Sequence, residues 1–326
     1  MMNKNNVQQQ PVNQRLNGLN DRYLGTALGL LIGDARCAAY EGGPLERLLW
    51  QIIGYHAGRK RYTDDSEMAI VIAQHYLHHQ HLNPDTLSLA FAAAYRWSRG
   101  YGPSTAYVLK KIRSGIDWQT ASRMKYADGS FGNGAAMRAP MAALCLHQLG
   151  HQQRIDQLDQ LSSITHPHPE ALAGARLIAH AVELGLQATD PHQALQQLHQ
   201  AVDYPQLREK TAQISHDLMQ ENIPIATLIR RYGNGTSATT SCPLAVYSAF
   251  RFLDQRIDQL FDFIIQCRGD TDTIAAMAGA IWGAFNGAHQ IPADLYANIE
   301  GAELMIDLAQ AIYQMHDSTQ STSISF

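Results

Sequence analysis

Apolar side chains in this chain recur mostly three and four positions apart, the spacing that gives a helix one buried face. The pattern starts near Tyr23 and predicts helices over 66–80, 84–98, 103–113, 135–149, 169–186, 191–201, 205–220, 224–231, 242–253, 257–267 and 301–315. Two more apolar helices are expected around 24–32 and 274–287. Valine is scarce and alternating β-branched runs are absent, so strands are not expected. Glycine-bearing loops at Gly100–Pro103, Gly129–Gly134 and Gly233–Gly235 separate the helices. After residue 22 no stretch of linker composition divides the chain. The reading is an all-α fold, a compact single-domain helical bundle over residues 23–316.

Glycines refine this picture. Gly25, Gly29 and Gly33 fall at i, i+4 and i+8, and Gly279, Gly283 and Gly287 repeat that spacing. An interior helical glycine costs about 0.5–1 kcal/mol relative to alanine. The cost makes sense where two buried helices approach closely, so the first and last core helices are expected deep in the domain and against each other. The membrane form of this motif is excluded by length, since Leu24–Ile32 is only about half a span.

Residues 1–22, rich in Gln and Asn, read as a flexible N-terminal arm, and 317–326, rich in Ser and Thr, as a flexible C-terminal tail. The arm lacks the short basic start of a secretory signal. Cys37, Cys145, Cys242 and Cys267 form no CxxC pair, which points to a reducing compartment. The expected location is cytoplasmic. With 25 basic against 29 acidic residues, the chain has no footprint for nucleic acid, and neither nucleic acid nor membrane is expected as a partner.

The candidate chemistry sits at two helix starts. Thr63-Asp64-Asp65 opens one apolar helix, and Asp270-Thr271-Asp272-Thr273 opens another. Either alone reads as an acidic cap, favoured by the helix dipole and by unpaired N–H groups. Two such clusters brought together would repel unless cations lay between them, and oxygen donors suit Mg²⁺, Mn²⁺ or Ca²⁺ rather than zinc. Gly129–Arg138 reads either as a flexible Asn-Gly turn or as a glycine loop that approaches a phosphate. Its spacing matches neither common nucleotide-binding loop. Asp34 and Glu41 add acids near the first glycine helix, and Asp34 alone reads as a capping residue. The two histidines of Thr165–Pro169 read first as structural. His75, His78, His79 and His81 read as a polar face, because no acid or cysteine joins them at zinc-site spacing.

Taken together, these segments resemble the ADP-ribosylglycohydrolase family. The likeness rests on GTALGLLIGDARCAAYE (Gly25–Glu41), YTDDSEM (Tyr62–Met68), RGYGP (Arg99–Pro103), SFGNGAAMR (Ser130–Arg138), THPHP (Thr165–Pro169) and GDTDTIAAMAG (Gly269–Gly279). It implies two Mg²⁺ or Mn²⁺ ions in a central cleft, held by Thr63, Asp64, Asp65, Asp270, Asp272 and Thr273. It implies that Ser130, Phe131, Gly132, Asn133 and Gly134 cradle a diphosphate and that His166 lies near the adenosine half. Tyr126 or Phe131 would stack on adenine. Asp65 would direct a water, and Glu41 would flank the ribose. Two departures stand out: Arg36-Cys37-Ala38-Ala39 replaces the family's usual Leu-Gly-Ala-Pro, and Ser66 replaces a threonine while keeping the hydroxyl.

The implied activity is metal-dependent removal of ADP-ribose from modified protein side chains, with arginine the favoured linkage. Serine-linked or small-molecule substrates are the alternative within the same chemistry. A catalytically silent ADP-ribose-binding or structural relative is the alternative outside it, and the complete ligand set argues against that. The modified target is either an endogenous enzyme or a victim of an ADP-ribosylating toxin, which would make this chain an immunity protein whose arm engages the toxin. Deleting residues 1–20 should then abolish toxin binding in a pull-down while hydrolysis persists; unchanged binding would remove the idea.

Overall fold

The computed structural model describes residues 18–323; residues 1–17 of the expected arm and 324–326 of the expected tail lie outside the described residues. The chain runs through α1 (Gly18–Cys37), α2 (Pro44–Ile53), a small antiparallel hairpin of β1 (Tyr55–His56) and β2 (Arg59–Lys60), α3 (Asp64–His79), α4 (Pro84–Ala94), α5 (Pro103–Arg113), α6 (Trp118–Ala121) and α7 (Ala139–Leu146). It continues with α8 (His151–Ser163), α9 (Pro169–Leu186), α10 (Pro191–Ala201), α11 (Pro205–Leu218), α12 (Ile225–Tyr232), α13 (Ala238–Arg251), α14 (Ile257–Cys267), α15 (Thr271–Asn286) and α16 (Ala302–Ser323). Proline opens α4, α5, α9, α10 and α11, where its missing N–H is no loss. Asn83 and Asp190 cap α4 and α10 through their side chains. The all-α expectation holds.

At the centre, α1 and α15 pack antiparallel along their small-residue ridges. A Cβ on Gly29 would lie 2.0 Å from the Gly279 carbonyl oxygen, one on Gly25 2.3 Å from that of Gly283, and one on Gly33 2.2 Å from that of Ala275. The two backbones therefore touch directly. Around this pair, α9, α13 and α14 cover α15, while α3, α7 and α16 cover α1. All four cysteines are buried and unpaired, as small apolar groups.

Several elements differ from expectation, for physical reasons. α4 stops at Ala94 rather than at 98 because Tyr95 turns extended. Arg113 then collects the carbonyls of Ala92, Ala93 and Tyr95 that the ended helix leaves free. α7 starts at Ala139, not 135, after a run of turns and with Pro140 in its first turn. α1 begins at Gly18, inside the span read as the arm, and α16 runs past 315 to Ser323, through part of the span read as a loose tail. α2, α8 and the hairpin were not expected. In α8 only Leu158, Leu161 and Ser162 are buried, too thin a stripe to stand out.

The central contact makes a direct prediction. Gly29→Ala should cost about 3 kcal/mol or more, the upper end of overpacking, read as a fall in thermal midpoint. Gly102→Ala, where nothing lies within 4 Å of an added Cβ, should leave the midpoint nearly unchanged.

Candidate metal centre

Because α1 and α15 are antiparallel, the last turn of α1 lies beside the first turn of α15. The Thr271 hydroxyl donates to the Cys37 carbonyl at 3.1 Å and fastens the two ends. Asp34, in that last turn of α1, reaches the start of α3. It accepts the Thr63 N–H at 2.9 and 3.0 Å, the Ser66 N–H at 3.0 Å and the Ser66 hydroxyl at 2.6 Å. Asp34 thus caps a helix other than its own, and it brings the heads of α3 and α15 to one place.

There the two acidic segments meet. The hydroxyls of Thr63 and Thr273 both donate to Asp65 Oδ2, at 2.9 and 3.4 Å. Asp65 Oδ1 is buried with no hydrogen-bond partner. Carboxylate oxygens of Asp34, Asp65 and Asp272 lie within 4.8 Å of one another, and so do those of Glu41, Asp270 and Asp272. Asp272 belongs to both groups. Asp64 is buried beside them, facing the charges of Asp34, Glu41 and Asp270.

Burial raises the carboxyl pKa of Asp34, Asp64, Asp65, Asp270 and Asp272. Facing carboxylates add to the rise at Asp64, Asp65 and Asp272. Hydrogen bonds oppose it at Asp34, from Ser66 and Thr63, and at Asp270, from Asn133, Asp272 and Thr273. Two helix N-termini also direct positive dipole ends at the cluster. None of this removes the repulsion. A buried set of oxygen donors with one orphaned carboxylate oxygen fits hard divalent cations, and the shared Asp272 fits two of them.

The glycine loop is fastened to this centre. Asn133 donates its side-chain amide to Asp270 Oδ2 at 2.5 Å and to Ser241 Oγ at 3.0 Å, while its N–H goes to the Thr236 carbonyl. Ser130 Oγ accepts the Gly132 N–H at 3.3 Å. A Cβ on Gly134 would sit 2.5 Å from the His166 ring, so only glycine permits that approach. His166 is buried, its Nδ1 lies 2.7 Å from Thr165 Oγ1, and burial lowers its pKa to about 3. Phe131 and Tyr126 are 52% and 47% exposed, and Phe131 meets the His168 ring edge-on at 6.0 Å.

Three residues were underread in the sequence. Asp34 passed for an ordinary cap, since its partner helix is not legible locally. Asn133, read as part of a turn or of a diphosphate loop, also steadies an acid. Arg99, 1% exposed, donates to the Tyr62 carbonyl at 2.8 Å, stacks on the Tyr62 ring at 3.9 Å and pairs with Glu300 at 2.8 Å, holding the residue before Thr63. Arg36, the family departure, forms an ion pair with Asp262 at 2.8 Å. Among the described residues the histidines of α3 do not join a metal-holding group; His75 bonds Thr86 Oγ1 at 2.8 Å.

A family model described as ADP-ribosylglycohydrolase matches residues 15–322. This chain belongs to the ADP-ribosylglycohydrolase family. Among its relatives, ADP-ribosylhydrolase ARH3 of Xenopus tropicalis is 29% identical over 336 positions, covering 90% of this chain and 95% of its own. ADP-ribosylarginine hydrolase Tri1 of Pseudomonas putida is 26% identical over 309 positions, covering 90% of this chain and 78% of its own. A solved structure described as an ADP-ribosylglycohydrolase-related protein complex shares the fold, with a TM-score of 0.69 and 22% identity over 92% of this chain and 99% of its own.

For this chain the raised carboxyl pKa values carry a stability consequence. Each such group contributes stability below its unfolded-state pKa and loses it as pH rises through the higher folded value. In EDTA, Asp65→Asn should therefore melt above the wild type, by about 2–4 °C for each kcal/mol of relieved repulsion, with the gap widening as pH rises. Mg²⁺ or Mn²⁺ should raise the melting point of the wild type and do little for the variant. A wild type that melts above Asp65→Asn in EDTA at alkaline pH would contradict this electrostatic account.

Proposed function

We propose that this protein is a metal-dependent hydrolase that removes ADP-ribose from modified protein side chains, chiefly arginine, and so reverses mono-ADP-ribosylation. The observation that carries the reading is the pair of acid groups sharing Asp272. It supports a site for two Mg²⁺ or Mn²⁺ ions, to which we assign Thr63, Asp64, Asp65, Asp270, Asp272 and Thr273 as ligands on the family resemblance. Such ions would supply positive charge that orients the ribose diol and makes a water in the cleft more acidic.

The bond to be cut joins ribose C1″ to a side-chain nitrogen, and it breaks through an oxocarbenium-like state. Asp65 suits the task of directing the water: two threonine hydroxyls fix Oδ2 and leave Oδ1 without a partner. The water's oxygen bonds C1″ as the C1″–N bond breaks, Asp65 takes the water's proton, and that proton is returned to the departing guanidine. We assign Glu41 to the ribose hydroxyls, because its carboxylate shares the group of Asp270 and Asp272. Ser130–Gly134 would run beside the diphosphate and His166 beside the adenosine. Phe131 is favoured over Tyr126 as the adenine platform because it belongs to that same loop. No covalent nucleophile enters the scheme.

Arginine is favoured by the name of the Pseudomonas putida relative, an ADP-ribosylarginine hydrolase, and by the YTDDSEM, RGYGP and THPHP motifs. A second reading, hydrolysis of another ADP-ribosyl linkage, draws on the 29% identity to ARH3, whose name specifies no side chain. An immunity role would rest on the arm before Gly18.

Release of ADP-ribose from arginine-modified and serine-modified protein, with Mg²⁺ and with EDTA, separates these readings. The proposal expects metal-dependent release from arginine, lost by ~10²-fold or more in Asp65→Ala. Asn133→Ala, which frees Asp270, should lower metal affinity by about tenfold or more. Release from serine alone would overturn the linkage, and release unaffected by EDTA would overturn the mechanism.

A further inference from the structure

A second pocket lies among α7, α8, α9 and α10, and none of its lining residues belongs to the metal centre. Its inner chamber, of about 140 Å³, is walled by Leu146, Ile155, Leu158, Leu177, Leu198 and Val202. Arg176 bridges Asp159 and Asp203, at 2.5 and 3.0 Å, and closes one side. The other side opens into a shallower vestibule of about 420 Å³ lined by Gln187, Gln197 and Gln200. His151, Arg154, His180 and Glu183 line both spaces and so stand at the junction.

Glu183 makes this more than a packing gap. Its side chain is 9% exposed, yet its carboxylate accepts no well-angled hydrogen bond and only lies near Arg154 Nε at 3.0 Å and His180 Nδ1 at 3.6 Å. Both of those nitrogens are buried and lack hydrogen-bond partners. Arg154 Nη1 is held by the carbonyls of His147 and Leu149, but leaving two buried nitrogens half-satisfied is costly, and a bound polar group at the junction would complete them.

Size and charge define the ligand. A leucine-lined cavity of about 150 Å³ holds one benzene-sized ring, so the inner chamber accommodates a single six-membered ring. At its mouth an acceptor, Glu183, and a donor, Arg154, stand side by side. A carboxylate head would face Glu183 and an ammonium head would face Arg154, each with like-charge repulsion. A carboxamide presents N–H to the first and C=O to the second. We propose that this pocket is a second binding site, for a small neutral aromatic carboxamide.

Calorimetric titration of the full chain with benzamide, benzoate, benzylamine and toluene tests this. The expected result is saturable binding with benzamide preferred by about tenfold or more over the others, the worth of a hydrogen bond to a charged group. Glu183→Gln leaves Arg154 without its counter-charge, so preference should pass from benzamide to benzoate. Ala173→Leu, which narrows the chamber, should abolish binding of every ring while ADP-ribose release continues. If that variant does not fold, the Glu183→Gln preference decides alone. Absence of saturation by benzamide, or the same order of preference in Glu183→Gln, would overturn the proposal.

Discussion

At the centre of the molecule two helices meet backbone to backbone along a ridge of glycine and alanine. The ridge Gly25, Gly29 and Gly33 of α1 lies on Gly283, Gly279 and Ala275 of α15, with carbonyl oxygens where any Cβ would have to go. This contact joins segments some 250 residues apart in the chain, and its antiparallel register brings the end of α1 to the start of α15. Asp34 then ties in the start of α3 through Thr63 and Ser66. The acid cluster therefore depends on the absence of side chains at Gly33 beside it and at Gly29 and Gly25 in the turns before.

What gathers there is unfavourable by itself. Burial and mutual repulsion both oppose ionisation of Asp64, Asp65 and Asp272, and the hydroxyls of Thr63 and Thr273 on Asp65 offset only part of that cost, as Ser66 does at Asp34 and Asn133 at Asp270. Concentrating unsatisfied acceptors is how a protein keeps binding free energy for cations, since each charge neutralised on binding relieves strain that folding left in place. The close backbone contact of α1 and α15 fixes the spacing of the helix ends that carry the cluster. Arg99 and Asn133 serve the same end from two sides, one holding Tyr62 and the other Asp270.

Much of this was legible in the residues. Helical periodicity identified most elements, and the i, i+4, i+8 glycines pointed to the α1–α15 contact because few other arrangements make that spacing worth its cost. Thr63–Asp65 and Asp270–Thr273 drew attention because acidic runs on such apolar helices are hard to explain as surface. What escaped depends on partners distant in sequence. Asp34 looks like a local cap until the head of α3 is seen against it, and nothing local in the Gly129–Gly134 loop says that the Asn133 amide also reaches Asp270. α8 escaped because a thin apolar stripe among glutamines carries little periodic signal. The pocket beside it was invisible for the same reason.

The measurement that bears most directly on the account is anomalous diffraction from crystals soaked in Mn²⁺. The account predicts two strong peaks among Thr63, Asp64, Asp65, Asp270, Asp272 and Thr273, with Asp272 shared between them. Peaks elsewhere, or none at this cluster, would contradict the claim that the glycine-packed helices exist to assemble a two-ion site.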